Sequence, residues 1–409
     1  MTQMRNFFIV LVLVFPACIL NGQIIEKIAG ESIEDGITNI ERLLNKPISD
    51  SICLIGVGDV SALSRQSVKF NTALISYLIS KKGFRQIFLI QGDWLLRPLR
   101  EYLGNDKSLD TDIIDSLMAV SLVYTLYRTK EFKSFLVWLK EYNLQNRDRV
   151  VDLLGVGADD PIPISYFLST YIVPFDKELG LNSSKKWHVS NYTEDQAWAD
   201  IKLWYGAMLK DSTFLNNNSD LMLQMKEDIE RNDQIKNGLS PELGLLESAN
   251  DRLRLISSWV LGKMKGRAIF YSHNEYVAKS KFVLSDTMTV NSPGLFLHNI
   301  LERKYYASLT DFQDSAFLNL FNPEVGEFKK VIMTREEHIK RLFQNKEASH
   351  FPDDSSLMGA FTPKSIGGIA GQISTSVLCP GLVPADAIFF FQTLTPTTFI
   401  NSFKVKYTD

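Results

Sequence analysis

From residue 51 onward the apolar and polar positions follow a strand, helix, strand pattern. Ile52-Cys53-Leu54-Ile55-Gly56 is a short apolar run that Gly56 and Gly58 are expected to stop. Between Ser64 and Lys82, Val68, Leu74, Ile75, Leu78 and Ile79 fall mainly at helical spacing, and Gly83 follows as a C-terminal stop. Ile87 to Ile90 reads as a second apolar strand, ending at Gln91-Gly92-Asp93. Together these make a βαβ unit, which requires a parallel pair with its helix crossing on one face. The segments after Gly56 and after Ile90 then lie at the same, carboxyl-terminal edge of the sheet.

The pattern returns further along. Thr129 opens a helix to Asn143 with Phe132, Phe135, Leu136, Leu139 and Tyr142 as its apolar stripe, and Val150 to Val156 is strand-like. Residues 194–236 are polar and helical with no strand, so they are expected to form a helical insertion. A long amphipathic helix, Leu245 to Lys265, leads into the strand Ala268 to Tyr271, which ends at Ser272-His273-Asn274. A Gly-rich loop at 367–371 precedes a last strand, Asp386 to Gln392. The expected fold is α/β, with a central, largely parallel sheet flanked by helices. Ligands of such sheets bind outside the carboxyl ends of the strands, where Asp59, Gln91, Asp93, Asp159 and His273 would gather.

The first 22 residues stand apart. Arg5 precedes the uninterrupted apolar run Phe7 to Phe15, and Leu20-Asn21-Gly22 offers a cleavage point before Gln23. That run is shorter than the roughly 20 residues of a spanning helix, so a secretory signal peptide is expected, with secreted or periplasmic location. The alternative is a lipoprotein acylated at Cys18, although Phe15 stands where a lipobox wants Leu. Residues 23–409 then form one α/β domain with no transmembrane segment. A formal charge of −3 gives no basic signal for nucleic acid. Cys53 and Cys379, the cysteines left after cleavage, form no metal motif; a free thiol and a single bridge both stay open.

Several residues admit both a functional and a structural reading. Gly56-Val57-Gly58-Asp59-Val60-Ser61 resembles a dinucleotide fingerprint with its third Gly replaced, but Gln91 stands where the ribose-binding carboxylate should end the next strand. A tight strand-to-helix turn explains the glycines as well. His273, directly after an apolar strand, is placed to act as base, acid or donor, or to sit hydrogen-bonded at the core edge. Asp93-Trp94 either contacts a ligand or caps the next helix. No G-x-S-x-G, HExxH, CxxC or Walker segment occurs, so neither a metal nor a cofactor is expected.

The order of these segments resembles the erythromycin esterase family, whose members hydrolyse a macrolide lactone. The likeness runs over roughly residues 50–310 and returns at 386–398. Ile55-Gly56 through Lys69 sits at the family's G-E-x-T-H-G segment and the basic residue that follows it. Gly83-Phe84-Arg85 with Ile90-Gln91-Gly92-Asp93-Trp94 is similar to its G-F-R…E-G-D-W strand. Arg128-Thr129 with Trp138 to Asn143 matches its W-R-T…W-L-R-x-Y-N helix, Gly155-Val156-Gly157 sits at its G-F-D, and Ser272-His273-Asn274 at its A-H-N-x-H.

The departures fall on the chemistry. Val60 stands at the family's proposed base histidine, Val57 at a Glu, Gln91 at the strand-end Glu, Gly157 at an Asp, and Tyr276 at a second His. A positioned general base contributes about 10²–10⁴-fold, and valine accepts no proton. The resemblance therefore implies a catalytically impaired homologue that keeps a cleft for a small or mid-sized organic ligand, contacted by Gln91, Asp93, Trp94 and Asn274. Its rival is an ester or lactone hydrolase rewired around His273 and Asp59, with Lys69 stabilising charge. A nucleotide binder through Gly56 and Gly58 is the third expectation. Oligomeric state is not legible in the sequence.

Overall fold

The computed structural model describes residues 32–44, 48–61, 64–122, 127–157, 167–187, 193–238, 245–285, 288–322, 327–334, 364–369, 372–378 and 385–398. The segment 1–22 with Cys18, as well as Asp159 and Cys379, lies outside the described residues. The strands are β1 (Leu54–Asp59), β2 (Gln86–Gly92), β3 (Asp152–Gly157), β4 (Ala268–His273), β5 (Lys281–Ser285), β6 (Met288–Asn291), β7 (Tyr305–Asn322), β8 (Glu327–Thr334), β9 (Lys364–Ile369), β10 (Gln372–Leu378) and β11 (Ala387–Leu394). The main sheet runs β11-β7-β1-β4-β2-β3, and every pair in that order is parallel. β8 pairs antiparallel with the far half of β7, and β6-β5-β10-β9 form a second, antiparallel sheet.

Among the helices, α1 (Ile33–Leu44), α2 (Arg65–Lys82), α3 (Asp93–Gly104), α4 (Thr111–Ser121) and α5 (Lys130–Gln145) precede β3. Next come α6 (Lys177–Trp187), α7 (Glu194–Met208), α8 (Ser212–Asn217), α9 (Ser219–Gly238), α10 (Leu245–Lys263) and α11 (Pro293–Leu301). α2 forms where its caps direct it. The Ser64 side chain accepts from the Ser67 N–H at the start, and Gly83 closes the helix at φ 74°, a conformation that costs glycine nothing.

The sheet is covered on both sides, giving three layers. Ile55, Val57, Leu89, Ile269 and Tyr271 pack on one face with Phe70 and Leu74 of α2 and Phe132 and Phe135 of α5. Leu54, Phe88, Phe270 and Leu154 pack on the other with Ile256 and Val260 of α10 and Leu297 of α11. This sorting follows the period-two alternation of the strands. α7 and α9 carry a separate apolar cluster around Trp198, Ile201, Trp204, Leu221 and Met225, to which Leu95 of α3 belongs. No helix among the described residues is long and apolar enough to cross a membrane.

Two expectations are corrected here. Gly56 and Gly58 do not stop β1; the strand runs through both to Asp59. Inside the strand the space admits only glycine, since a Cβ at Gly58 would come within 2.6 Å of Asn274 Oδ1 and Leu309 Cδ2. The turn that a phosphate cradle would need is therefore not at these glycines, which removes the ground for the dinucleotide reading. The Gly-rich stretch expected as a loop also differs. Gly367, Gly368 and Ile369 pair with Ser374, Ile373 and Gln372, so cross-strand hydrogen bonds override the weak strand preference of glycine. Residues 370 and 371 lie outside the described residues.

Candidate functional site

The carboxyl ends of β1 and β4 meet in register, with Asp59 opposite His273. Alternation places Asp59 on the same face as Val57 and Tyr271, beneath α2. There its carboxylate is sealed, 2% exposed, and held by three donors. The Ser61 N–H donates at 2.9 Å, the Tyr271 hydroxyl donates at 3.0 Å, and the Ser67 hydroxyl makes a short bond. Burial pushes the Asp59 carboxyl up from its usual 3.8, and the Ser67 bond, the charge of His273 and the other two donors only partly oppose it. Burial, then the neighbouring Asp59 charge, likewise drives Tyr271 and Tyr127 upward. Tyr127, Phe132 and Tyr271 close over one another, with ring centroids 5.2–6.4 Å apart. Asp59 therefore sits in an aromatic, hydroxyl-lined pocket with His273 opposite it.

His273 ends β4 half-buried, with its Nδ1 sealed from solvent and bonded to nothing among the described residues. Gln91 sits near the end of the neighbouring strand β2, where Leu89 pairs with Tyr271. It is fully buried, and neither Oε1 nor Nε2 of its amide has a partner among the described residues. A buried polar group without a hydrogen bond costs about 1–3 kcal/mol, so such groups call for a physical reason. Here three of them collect at the ends of two adjacent strands.

The other expected ligand contacts are engaged within the protein. Both oxygens of Asp93 are taken. Oδ1 accepts from Gly155 N–H at 2.7 Å and Arg100 at 3.2 Å, and Oδ2 accepts from Lys263 at 2.6 Å and Gln224 at 3.4 Å. Burial pushes this carboxyl up, but Lys263 and then Arg100 outweigh it and hold the group below 3.8. Asp93 thus ties β2, β3, α9 and α10 together. It does not cap α3, whose first turn has no side-chain cap. Trp94 is the second residue of that helix, and its side chain lies outside the described set. The Asn274 amide donates to Thr310 C=O at 2.7 Å and accepts from Thr310 N–H at 3.4 Å, clamping β7 beside β1 across the bare face of Gly58.

Lys69, expected as a charge stabiliser, lies elsewhere on α2 from Ser67. It stands two residues from Ser67, a rotation of about 200° around α2, so the helix that aims Ser67 at Asp59 turns Lys69 away. Lys69 instead lines a cavity of about 280 Å³ with Glu34 of α1 and Glu131, Trp138 and Glu141 of α5. The sheet edge sets Asp59 opposite His273, with Asn274 next in the chain and Gln91 near the end of the neighbouring strand β2. Sequence reasoning missed Tyr271, Ser67 and Thr310, whose hydroxyl accepts from Val60 N–H at 2.9 Å. Tyr271 had a signal, because it lies two residues before His273 on one strand and so shares its face. Ser67 had only its place in the first turn of a helix. No group of three or more His, Cys, Asp or Glu among the described residues could hold a metal ion.

No family model matches the sequence. No curated protein matches it either. Solved structures do match over nearly the whole chain. A Bacillus cereus protein aligns with TM-score 0.60 at 16% identity, covering 92% of this chain and 98% of its own. A succinoglycan biosynthesis protein aligns with TM-score 0.56 at 14% identity, over 90% and 93%. A mutant of the erythromycin esterase EreC in its open conformation aligns with TM-score 0.52 at 19% identity, over 88% and 95%. The parallel sheet, its helical layers and this likeness together identify the chain as a protein of erythromycin esterase-like α/β fold.

Proposed function

We propose that the protein binds a small or mid-sized organic ligand at the carboxyl edge of β1, β4 and β2, and that the hydrolytic chemistry of an esterase is impaired there. The carrying observation is the contrast between the residues at this edge. His273 Nδ1 and both amide atoms of Gln91 are buried and have no partner among the described residues, whereas Asp59, the carboxylate beside His273, accepts three internal hydrogen bonds. A base must reach a substrate proton or an attacking water, and a carboxylate enclosed this way is turned inward. Val60 holds the position of the resembled family's histidine, with its backbone bonded to Thr310 and no group to accept a proton.

A second reading has its own observation. The β1–β4 register sets Asp59 opposite His273, and their charges interact, so an active hydrolase would use His273 as base with Asp59 as its orienting acid. A hydrolysis screen with p-nitrophenyl esters and simple lactones, run beside His273→Ala, separates the two. No turnover, together with ligand-induced shifts of the His273 imidazole signals, supports the binding protein. Turnover abolished in His273→Ala overturns it in favour of the hydrolase. Export belongs to the same proposal, with cleavage before Gln23 as the expected mature terminus by intact-mass measurement.

A further inference from the structure

The backbone on either side of Gln91 is closely held. Its backbone packs directly against Gly157, where a Cβ would lie 2.9 Å from Gln91 N and 3.0 Å from its Cα. Two residues on, Asp93 is fixed by Gly155, Arg100 and Lys263. The amide is a donor and an acceptor side by side, and neither is met among the described residues. Lys263 and Arg100 at this strand end are already committed to Asp93, which favours an uncharged ligand over an anion.

The structure assigns to Gln91, we infer, the reading of a ligand edge that carries a donor and an acceptor together, such as a lactam or carboxamide, in preference to an ester or lactone. This rests on the ligand-binding reading above and names the class of ligand for that same site. An amide edge satisfies Nε2 and Oε1 at once. An ester or lactone edge offers acceptors only, so it meets Nε2 and leaves Oε1 buried and unpaired. Sites that hydrogen-bond a donor discriminate strongly against analogues lacking it, because their own polar groups are then stranded. His273 is half-buried at the end of β4 and Gln91 is fully buried on the neighbouring β2, so in the proposed site a ligand would pass His273 before it meets the Gln91 amide.

The test is an NMR titration of the full chain with δ-valerolactam and δ-valerolactone, rings of matching size that differ in one N–H. The expected result is lactam binding about 10-fold tighter or more, the ratio that one stranded buried group sets. Gln91→Met, close in length and without polar atoms, should abolish that preference and raise the Tm of the free protein. Equal or tighter lactone binding to the wild type overturns the inference while leaving the ligand site standing, and this ratio decides even if the variant fails to fold. A lactam preference that survives in Gln91→Met also overturns it. Binding of neither ring, with the His273 signals unmoved, overturns the inference and the proposed site together.

Discussion

Asp93→Asn isolates the group that fastens the sheet edge to the helices around it. The wild-type carboxylate is 1% exposed and bonds Lys263 at 2.6 Å and Arg100 at 3.2 Å, with those side chains 19% and 18% exposed. Removing one member of a buried pair costs about 3–5 kcal/mol, because the partner charge is left uncompensated. Lys263 retains Glu227 at 2.9 Å and Arg100 retains Asp152 at 4.0 Å, and the new amide still offers Gly155 an oxygen. The lower end, about 3 kcal/mol, is therefore the working value. Urea unfolding at pH 7 measures it, with the slope unchanged if only the native state is affected. The pH dependence adds a second check. The folded carboxyl titrates below its usual 3.8, so its stabilisation is present above that value and is lost as pH falls through the folded pKa. The gap between wild type and variant should close in that acid range. A gap under about 1 kcal/mol at pH 7, the range of exposed pairs, or one that does not change with pH, would refute the reasoning.

Three further outcomes are expected. Asp59→Asn removes a carboxyl whose folded pKa lies above 3.8; ionising it opposes folding, so thermal melts should show the variant gaining on wild type as pH rises from 3.8 through the folded value. A constant difference across that window would contradict the burial argument. Gly58→Ala forces a methyl to within 2.6 Å of Asn274 Oδ1 and Leu309 Cδ2, an overpacking worth about 1–3 kcal/mol, visible as a lower urea midpoint and faster amide exchange at Thr310. Lys69→Ala should leave ligand-induced shifts at His273 unaltered, since Lys69 opens into the α1–α2–α5 cavity; loss of those shifts would return Lys69 to the site.

Much of the frame was legible because it rests on local rules. Ser64 and Gly83 bound α2 by capping chemistry, and the apolar runs at 87–90 and 268–271 lie inside β2 and β4. The site was legible only as a location. That Asp59 and His273 end neighbouring strands is a matter of strand order, since 208 residues separate β1 from β4. That Asp93 ties elements together depends on Lys263, 170 positions away, and no periodicity announces such a partner. Gly56 and Gly58 were misread because a glycine in a tight turn and a glycine in a crowded strand look alike until Tyr305, Val277, Asn274 and Leu309 are placed around them.

The sequence by itself determined the alternation of strands and helices, the helix ends, and the absence of a histidine or carboxylate at Val57, Val60 and Gly157, because these depend on residue identity and near neighbours. The tertiary structure alone decided which side chains meet. It set Lys69 in the cavity between α1, α2 and α5, spent Asp93 on Lys263 and Arg100, enclosed Asp59 beneath Ser67 and Tyr271, and left Gln91 and His273 Nδ1 without partners among the described residues. The physical reason is common to all four: burial and pairing belong to contacts made across the fold, and the chemistry of a polar group is set by them.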